Sequence, residues 1–459
     1  MGGDSDRLTI RNLTAGHVIL AQVQRYPQQR AKFHLCPKPQ QEEPIGESFY
    51  LRIGPYETCQ TDIPLFVSGE NERLRLTFAA FRGRHFVHLP HTNTPDDNDT
   101  NTPNRLYAVF IRSQRHLTLY QLTDESRWME SLRDDLMLSA LSIPGTHNSP
   151  TCYKAPPSVR CQAVSVREQL EHGVRFLDLR MHPDHAVGGN DERDKLVLVH
   201  SVFPISFSGK KTFRRLLEDI EDFLRRNPSE ALLVSIKREG PGHHNDQQLS
   251  RVLYEHYANN NDLWYTKPTI PTLGEARGKI VLLRRFNIAD HLKKEWNGEG
   301  WGIDATGWAD NTPHALCKSG TICIQDFYEI PKADHITEKV EYIKGQIRRA
   351  AMVKHRDAAI RAAICDRTSL CLSCPLYINF LSASNFWKLR TWPKDIAAKV
   401  NPQVTDYLAR EHTSDEGDWS TGILVCDWVG RSGDWTLVKS IIGMNSWLKI
   451  DHDEHYVLN

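Results

Sequence analysis

No apolar run in the 459 residues approaches the ~18 that a membrane-spanning helix needs, so no transmembrane helix is expected. Charge of one sign is also missing, with Lys+Arg and Asp+Glu at 57 each. Without a net field, recruitment of nucleic acid by overall charge is excluded. The 10 cysteines lack the spacing of a disulfide framework, which favours a reduced, cytoplasmic setting. The opening MGGDSDRLTIRN has neither the basic nor the apolar region of a secretory leader, and Asp6 stands where a myristoylation motif wants Ser or Thr. The tripeptides beginning at Asn12 and Asn98 fit the glycosylation pattern but would need a secreted context. There is no glycine-rich phosphate cradle, no HExxH and no GxSxG.

What is present divides in two. Hydrophobic content of 40% and charged content of 25% are those of a globular protein, and the length suits two domains or a barrel with an appendage. Residues 1–124 read as a strand-rich domain: LTIRNL, HVILAQVQ, SFYLRIG, LRLTFAAF, HFVHL and LYAVFIR-SQRHLTLYQL are short, β-branched or aromatic, and separated by turns. An antiparallel sandwich is expected, with HTNTPDDNDTNTPNR as an exposed loop. His85, His88 and His91 read as sheet residues rather than a metal site.

Residues 125–459 change texture. SRWMESLRDDL reads as a short helix. Eight apolar runs follow: LSIPGTH, RFLDLRM, KLVLVHS, ALLVSIKRE, KIVLLRRF, ICIQDFY, LYINFLSA and ILVCDWV. Unbroken apolar runs suit strands covered on both faces, and amphipathic stretches such as TFRRLLEDIEDFLRR separate many of them. Together they predict a TIM-type β/α barrel. The segment after the second run is too short and polar for a helix, and that after the fifth is long and irregular. The barrel is therefore expected to be distorted or incompletely closed between the fifth and sixth runs.

In such a barrel the C-terminal strand ends form one rim, where chemistry collects. The runs deliver His147, Asp178 with Arg180, His200, Lys237, Arg285, Asp326 with Tyr328, Asn379 and Asp427. Two histidines and an arginine on one rim suit phosphodiester cleavage, with one imidazole removing a proton, the other donating one and the guanidinium steadying phosphate charge. Other candidates carry less. Cys371 and Cys374 form a CxxC with no second pair at zinc spacing and read as an inert pair. His182, His185, His243 and His244 read as loop residues.

From about 135 to 445 the chain resembles the bacterial-type phosphatidylinositol-specific phospholipase C (X-domain) family. LSIPGTHNS, RFLDLR, LVHS, NPSEALLVSIKRE, ARGKIVLLRRF, IQDFY, LYINFLSA and VCDWV match its signatures in order. The resemblance implies cleavage of phosphatidylinositol to diacylglycerol and inositol 1,2-cyclic phosphate, with hydrolysis of the cyclic ester as a slower second step. It implies His147 as general base oriented by Asp427, His200 as general acid supported by Asp178, and Arg180 on the phosphate. Lys237, Arg285, Asp326 and Tyr328 would line the inositol pocket. Arg180 stands where the calcium-dependent relatives supply a carboxylate, so no metal and no cofactor are expected. The family usually has Asp after the first histidine; Asn148 here keeps a hydrogen bond and loses the charge.

The implied partner is membrane phosphatidylinositol, met peripherally, with no obligate protein partner. SVFPISFSGKK and NFWKLRTWPK mix aromatics with cations and suit an interfacial surface. Two other readings stand beside this one: a barrel that binds phosphoinositide without turning it over, and an enzyme acting on a different phosphodiester lipid.

Overall fold

The structure, a computed structural model, describes residues 7–26, 45–67, 72–91, 104–184, 196–330, 335–355, 374–385, 391–414 and 416–450. Most of the polar loop HTNTPDDNDTNTPNR, with Asn98, lies outside these residues, as do His185, Cys371 and residues 386–390 of the second aromatic-basic stretch. Contacts divide the chain into two compact units. One takes residues 1–124 with 408–411 and 446–459; the other takes 125–407 and 412–445.

The first unit contains two four-stranded sheets. One runs Thr58–Pro64, Arg7–Leu13, His116–Leu122, Arg105–Ile111; the other runs Ile45–Ile53, Val18–Tyr26, Arg73–Ala80, Gly83–Leu89. Alternation drives them together. Leu74, Leu76, Phe78 and Ala80 point inward from one strand and join Leu8, Ile10, Val18, Leu20, Leu117 and Leu119 in a single apolar cluster. The strand Thr58–Pro64 escaped the sequence reading because it buries little beyond Thr61 and Ile63. Thr61 Oγ1 instead donates to the Leu8 carbonyl at 2.7 Å.

The second unit is a curled sheet with parallel neighbours in the order Ile280–Arg285, Leu232–Arg238, Phe176–Pro183, Ile143–Thr146, Ile423–Cys426, Leu376–Phe380, Ile322–Gln325. Helices cover it. In Phe213–Arg226, Phe213, Leu216, Leu217, Ile220, Phe223 and Leu224 form one buried stripe, and Arg225 and Arg226 sit in the last turn where cations suit the helix dipole. Asn245 and Gln248 form a capping box that starts Asp246–His256. Among the described residues no ladder joins Ile280–Arg285 or Ile303–Asp304 to Ile322–Gln325. The wall is thus open between the fifth and sixth runs, where the sequence offers an irregular, Trp- and Gly-rich stretch.

Two expectations need correction. The third run, Leu196–His200, is not a parallel wall strand. It pairs antiparallel with Phe176–Pro183, Met181 opposite Leu198, while Leu232–Arg238 takes the parallel place beside Phe176–Pro183. A parallel return needs a long crossover, usually a helix, and the sequence between these runs is too short and polar to supply one. SRWMESLRDDL forms a 3-10 segment, Glu125–Ser131, interrupted at Arg127, rather than an α-helix.

Candidate active site

Strand register builds the rim. Arg180 lies opposite Lys237, and Lys237 opposite Arg285, so three cations stand abreast on adjacent parallel strands. Cys426 lies opposite Thr146, which sets the next residues, Asp427 and His147, side by side. The His147 backbone N–H extends that ladder to the Cys426 carbonyl at 3.0 Å. Close approach here depends on Gly145, where a Cβ would stand 2.9 Å from Phe176.

Asp427 Oδ1 is 2.9 Å from His147 Nδ1. A carboxylate only accepts, so Nδ1 carries the proton and Nε2 is left to act as a base. His147 is raised to about 10: burial works against its charge, but Asp427 and then Cys161 outweigh it, so the neutral form that can act as a base is the minor one near neutral pH. His200 Nδ1 is 2.8 Å from the Val159 carbonyl, which likewise fixes the proton there and leaves Nε2 to exchange one. The two rings stand perpendicular with centroids 5.9 Å apart, a gap in which a phosphodiester can be reached from both sides.

Asp178 is fully buried and serves the cations, not His200. Its Oδ2 accepts from Arg180 Nε and Nη2 at 3.2 Å and from the Asn148 backbone N–H at 3.1 Å, and its Oδ1 is 3.5 Å from Arg285 Nη1. Burial alone would raise the carboxyl, but Arg180 and Arg285 hold it below its ordinary value. The expected support of His200 by Asp178 is therefore replaced by the Val159 carbonyl. Arg180 also donates from Nη1 to Glu239 Oε1 at 3.1 Å, and Lys237 Nζ is 2.9 Å from the same oxygen. Glu239 was missed in the sequence, although it closes the ALLVSIKRE run. It ties the arginine to the loop carrying His200 by accepting the Ser201 N–H at 2.9 Å.

Arg285 stacks on Trp308 at 3.9 Å and lies 3.9 Å from Asp326 Oδ2, which accepts from Trp308 Nε1 at 3.0 Å. Tyr328 is half-buried and turns its hydroxyl to Asp310 at 3.0 Å, at the edge of this group. Asn379 is buried below the rim and bonds to Gln325 and the Ile343 carbonyl. Lys339, on the helix His335–Ala351, was not foreseen. It is fully buried, donates to Gln325 Oε1 at 3.0 Å and Phe327 O at 2.6 Å, and is lowered to about 7 by burial.

Among the described residues several rim atoms have no hydrogen-bond partner: both amide atoms of Asn148, Asp427 Oδ2, Arg285 Nε, and Asp178 Oδ1 and Arg285 Nη1, which meet only as an ion pair at 3.5 Å. Asn148 is wholly buried with φ of 43°, a left-handed conformation that Asn tolerates. Buried polar atoms left open in this way are costly, on the order of 1–3 kcal/mol each, unless a ligand completes them. The set of donors, acceptors and fixed cations fits a polyhydroxylated, anionic head group. Among the described residues, a possible metal-ligating group is His147, Cys161 and His200.

A barrel with two oriented histidines and an arginine-rich rim defines a phosphodiester-cleaving class. Residues 135–286 match the family model "Phosphatidylinositol-specific phospholipase C, X domain". The 1-phosphatidylinositol phosphodiesterase of Staphylococcus aureus (strain Newman) is 27% identical over 339 residues, covering 69% of this chain and 93% of that protein. The protein of the same name from Listeria monocytogenes is 27% identical over 335 residues, covering 70% and 85%. A phosphatidylinositol-specific phospholipase C from S. aureus, solved in work on modulating its membrane binding, superposes with a TM-score of 0.53 at 24% identity, over 70% of this chain and 97% of that one. Residues 135–286 thus match the phosphatidylinositol-specific phospholipase C X domain, and the chain is similar to bacterial 1-phosphatidylinositol phosphodiesterases over 69–70% of its length.

Proposed function

We propose that this chain cleaves phosphatidylinositol by general base and general acid catalysis, without a metal. His147 Nε2 removes the proton of the inositol 2-hydroxyl, and that oxygen attacks phosphorus. The bond from phosphorus to the glycerol oxygen breaks, and His200 protonates the leaving oxygen. The products are diacylglycerol and inositol 1,2-cyclic phosphate. Arg180 meets the charge that builds on the phosphoryl oxygens; Lys237, Arg285 and Asp326 hold the inositol ring, with Tyr328 at the pocket edge. The single observation that carries this reading is the pair of histidines facing one gap with both Nδ1 atoms already committed, to Asp427 and to Val159. A barrel that only bound the lipid would have no need of two imidazoles so oriented.

Metal independence rests on Arg180. Its guanidinium cannot be titrated away at working pH, and its neighbours Asp178 and Glu239, which would otherwise be the oxygen ligands, are already paired with it. Access to the lipid is peripheral: no helix among the described residues is long and apolar enough to cross a membrane. Beside the mouth, Val202 and Phe207 are 57% and 67% exposed. Phe207 bonds through its backbone N–H to the Lys154 carbonyl, and Lys211 lies over the Tyr153 ring at 4.7 Å. Burying each apolar side chain in the head-group layer contributes at most about 1.5–3 kcal/mol, enough for reversible docking. We place the enzyme in the cytoplasm, a setting suited to its scattered thiols, and treat residues 1–124 as a separate domain from the catalytic barrel at 125–459.

The test is release of diacylglycerol from vesicles containing phosphatidylinositol or phosphatidylcholine, with and without chelator. Turnover of the inositol lipid alone, unchanged by chelator, is expected. Loss of activity with chelator and its return with calcium would overturn the metal-independent reading, and no turnover of the inositol lipid would overturn the activity.

A further inference from the structure

Cys161 is assigned no step in the reaction above, yet it lies close to both histidines. Its sulfur, one ring nitrogen of His147 and one of His200 all lie within 4.8 Å of one another. Sγ is 3.7 Å from His200 Nδ1. The residue is fully buried and its backbone is pinned, the N–H donating to Thr151 Oγ1 at 3.1 Å and the carbonyl accepting from the Trp428 N–H at 2.8 Å. We propose that His147, Cys161 and His200 form an inhibitory zinc site, in which a Zn(II) ion occupies both imidazoles and switches the enzyme off.

Ligand chemistry supports this. Two imidazoles and a thiolate are a typical zinc donor set, and three protein ligands leave a fourth position for water. Zn–N near ~2.1 Å and Zn–S near ~2.3 Å require donors roughly 3.5 Å apart in a tetrahedron. The donors here need move inward by about 1 Å or less, within reach of side-chain rotation. One outer partner is already in place. Metal-bound histidines usually give their other N–H to a carboxylate or a backbone carbonyl, and Asp427 holds Nδ1 of His147 in that way. On binding, the thiol proton passes to water, and the thiolate with Asp427 offsets the charge of the ion. Arg180 directs its own charge to Asp178 and Glu239. Calcium, a hard cation that prefers oxygen, has little to gain from this donor set.

Metal binding stands on the geometry alone; inhibition rests on His147 and His200 being the base and acid of the proposed reaction. The test uses the full chain and separates the two. Cobalt(II) is titrated in as a spectroscopic probe, and zinc is titrated against phosphatidylinositol cleavage. The wild type should show a thiolate-to-cobalt absorption band, and low zinc should stop turnover reversibly with chelator. Cys161→Ser should lose the band, remain active without metal, and need roughly 10–100-fold more zinc for half inhibition. Zinc should also protect Cys161 of the wild type from alkylation, read by peptide mapping, which needs no variant to fold. No cobalt–thiolate band, equal zinc sensitivity in Cys161→Ser, or no protection of Cys161 would overturn the site. A band and protection in a chain that does not cleave the lipid would instead leave the site standing and remove the activity.

Discussion

Arg175, just before the barrel strand Phe176–Pro183, and Arg180, five positions on and towards the rim, have completely different surroundings. Arg175 is fully buried with every nitrogen engaged: Nε to Glu230 at 2.8 Å, Nη1 to the Leu170 and Val174 carbonyls, Nη2 to the Glu125 and Ser126 carbonyls. Phe223 packs on its guanidinium at 4.7 Å. The lower end is a closed polar network that fastens strand, helix and entry segment. At the rim, Arg180 is paired, but beside it Asn148, Asp178, Asp427 and Arg285 keep polar atoms open. A satisfied buried cation holds a fold; an unsatisfied cluster on a rigid rim is prepared for a ligand. Chemical type does not distinguish the two arginines. The completeness of their hydrogen bonding does.

That contrast is broken most severely at the rim. His147→Ala should lower turnover by about 10⁴, and His200→Ala by about 10² or more, with fold unchanged by circular dichroism. A substrate with a good leaving group should recover much of the second loss and none of the first. Near-wild-type rates in both variants would refute the assignment. Arg180→Lys should cost about 10²–10³ in kcat, since a point charge cannot meet two oxygens at once, and added calcium should not restore it.

The lower end should respond the other way. Arg175→Met leaves Glu230 buried and unpaired, so stability should fall by about 3–5 kcal/mol in denaturant titration. The folded fraction should retain wild-type kcat. Loss of kcat out of proportion to unfolding would erase the distinction between the two ends.

Lys339 yields the smallest effect. Its folded value is lowered to about 7, and an unfolded lysine titrates at its ordinary 10.5. Between these values the unfolded chain holds more protons, so this group makes stability rise with pH from about 7 upward. Lys339→Met should flatten that rise in thermal melts taken across the interval. An unchanged slope would show that Lys339 is not its source.

The rim was legible in the sequence because strand ends announce themselves: an apolar run that stops at a charged residue gives both the strand and its direction. His147, Asp178, Arg180, Lys237, Arg285, Asp326 and Asp427 were found in this way. So was the open wall, from a linker too irregular to bridge it. The antiparallel turn of Leu196–His200 was not visible, because apolar content shows that a strand is buried but not which neighbour it takes. Glu239 could have been found, since it ends a recognised run. Cys161 and Lys339 could not. One sits in a loop and the other on a helix, and nothing local to either shows that the chain folds it towards the histidines or beneath the rim.

In the proposed reaction the first chemical step is attack by a hydroxyl of the substrate itself, with His147 and His200 on either side. Phosphorus NMR of phosphatidylinositol during turnover tests it most directly. A five-membered cyclic phosphodiester resonance should appear first and convert slowly to inositol monophosphate. Direct appearance of the monophosphate, with no cyclic species at any time, would contradict it.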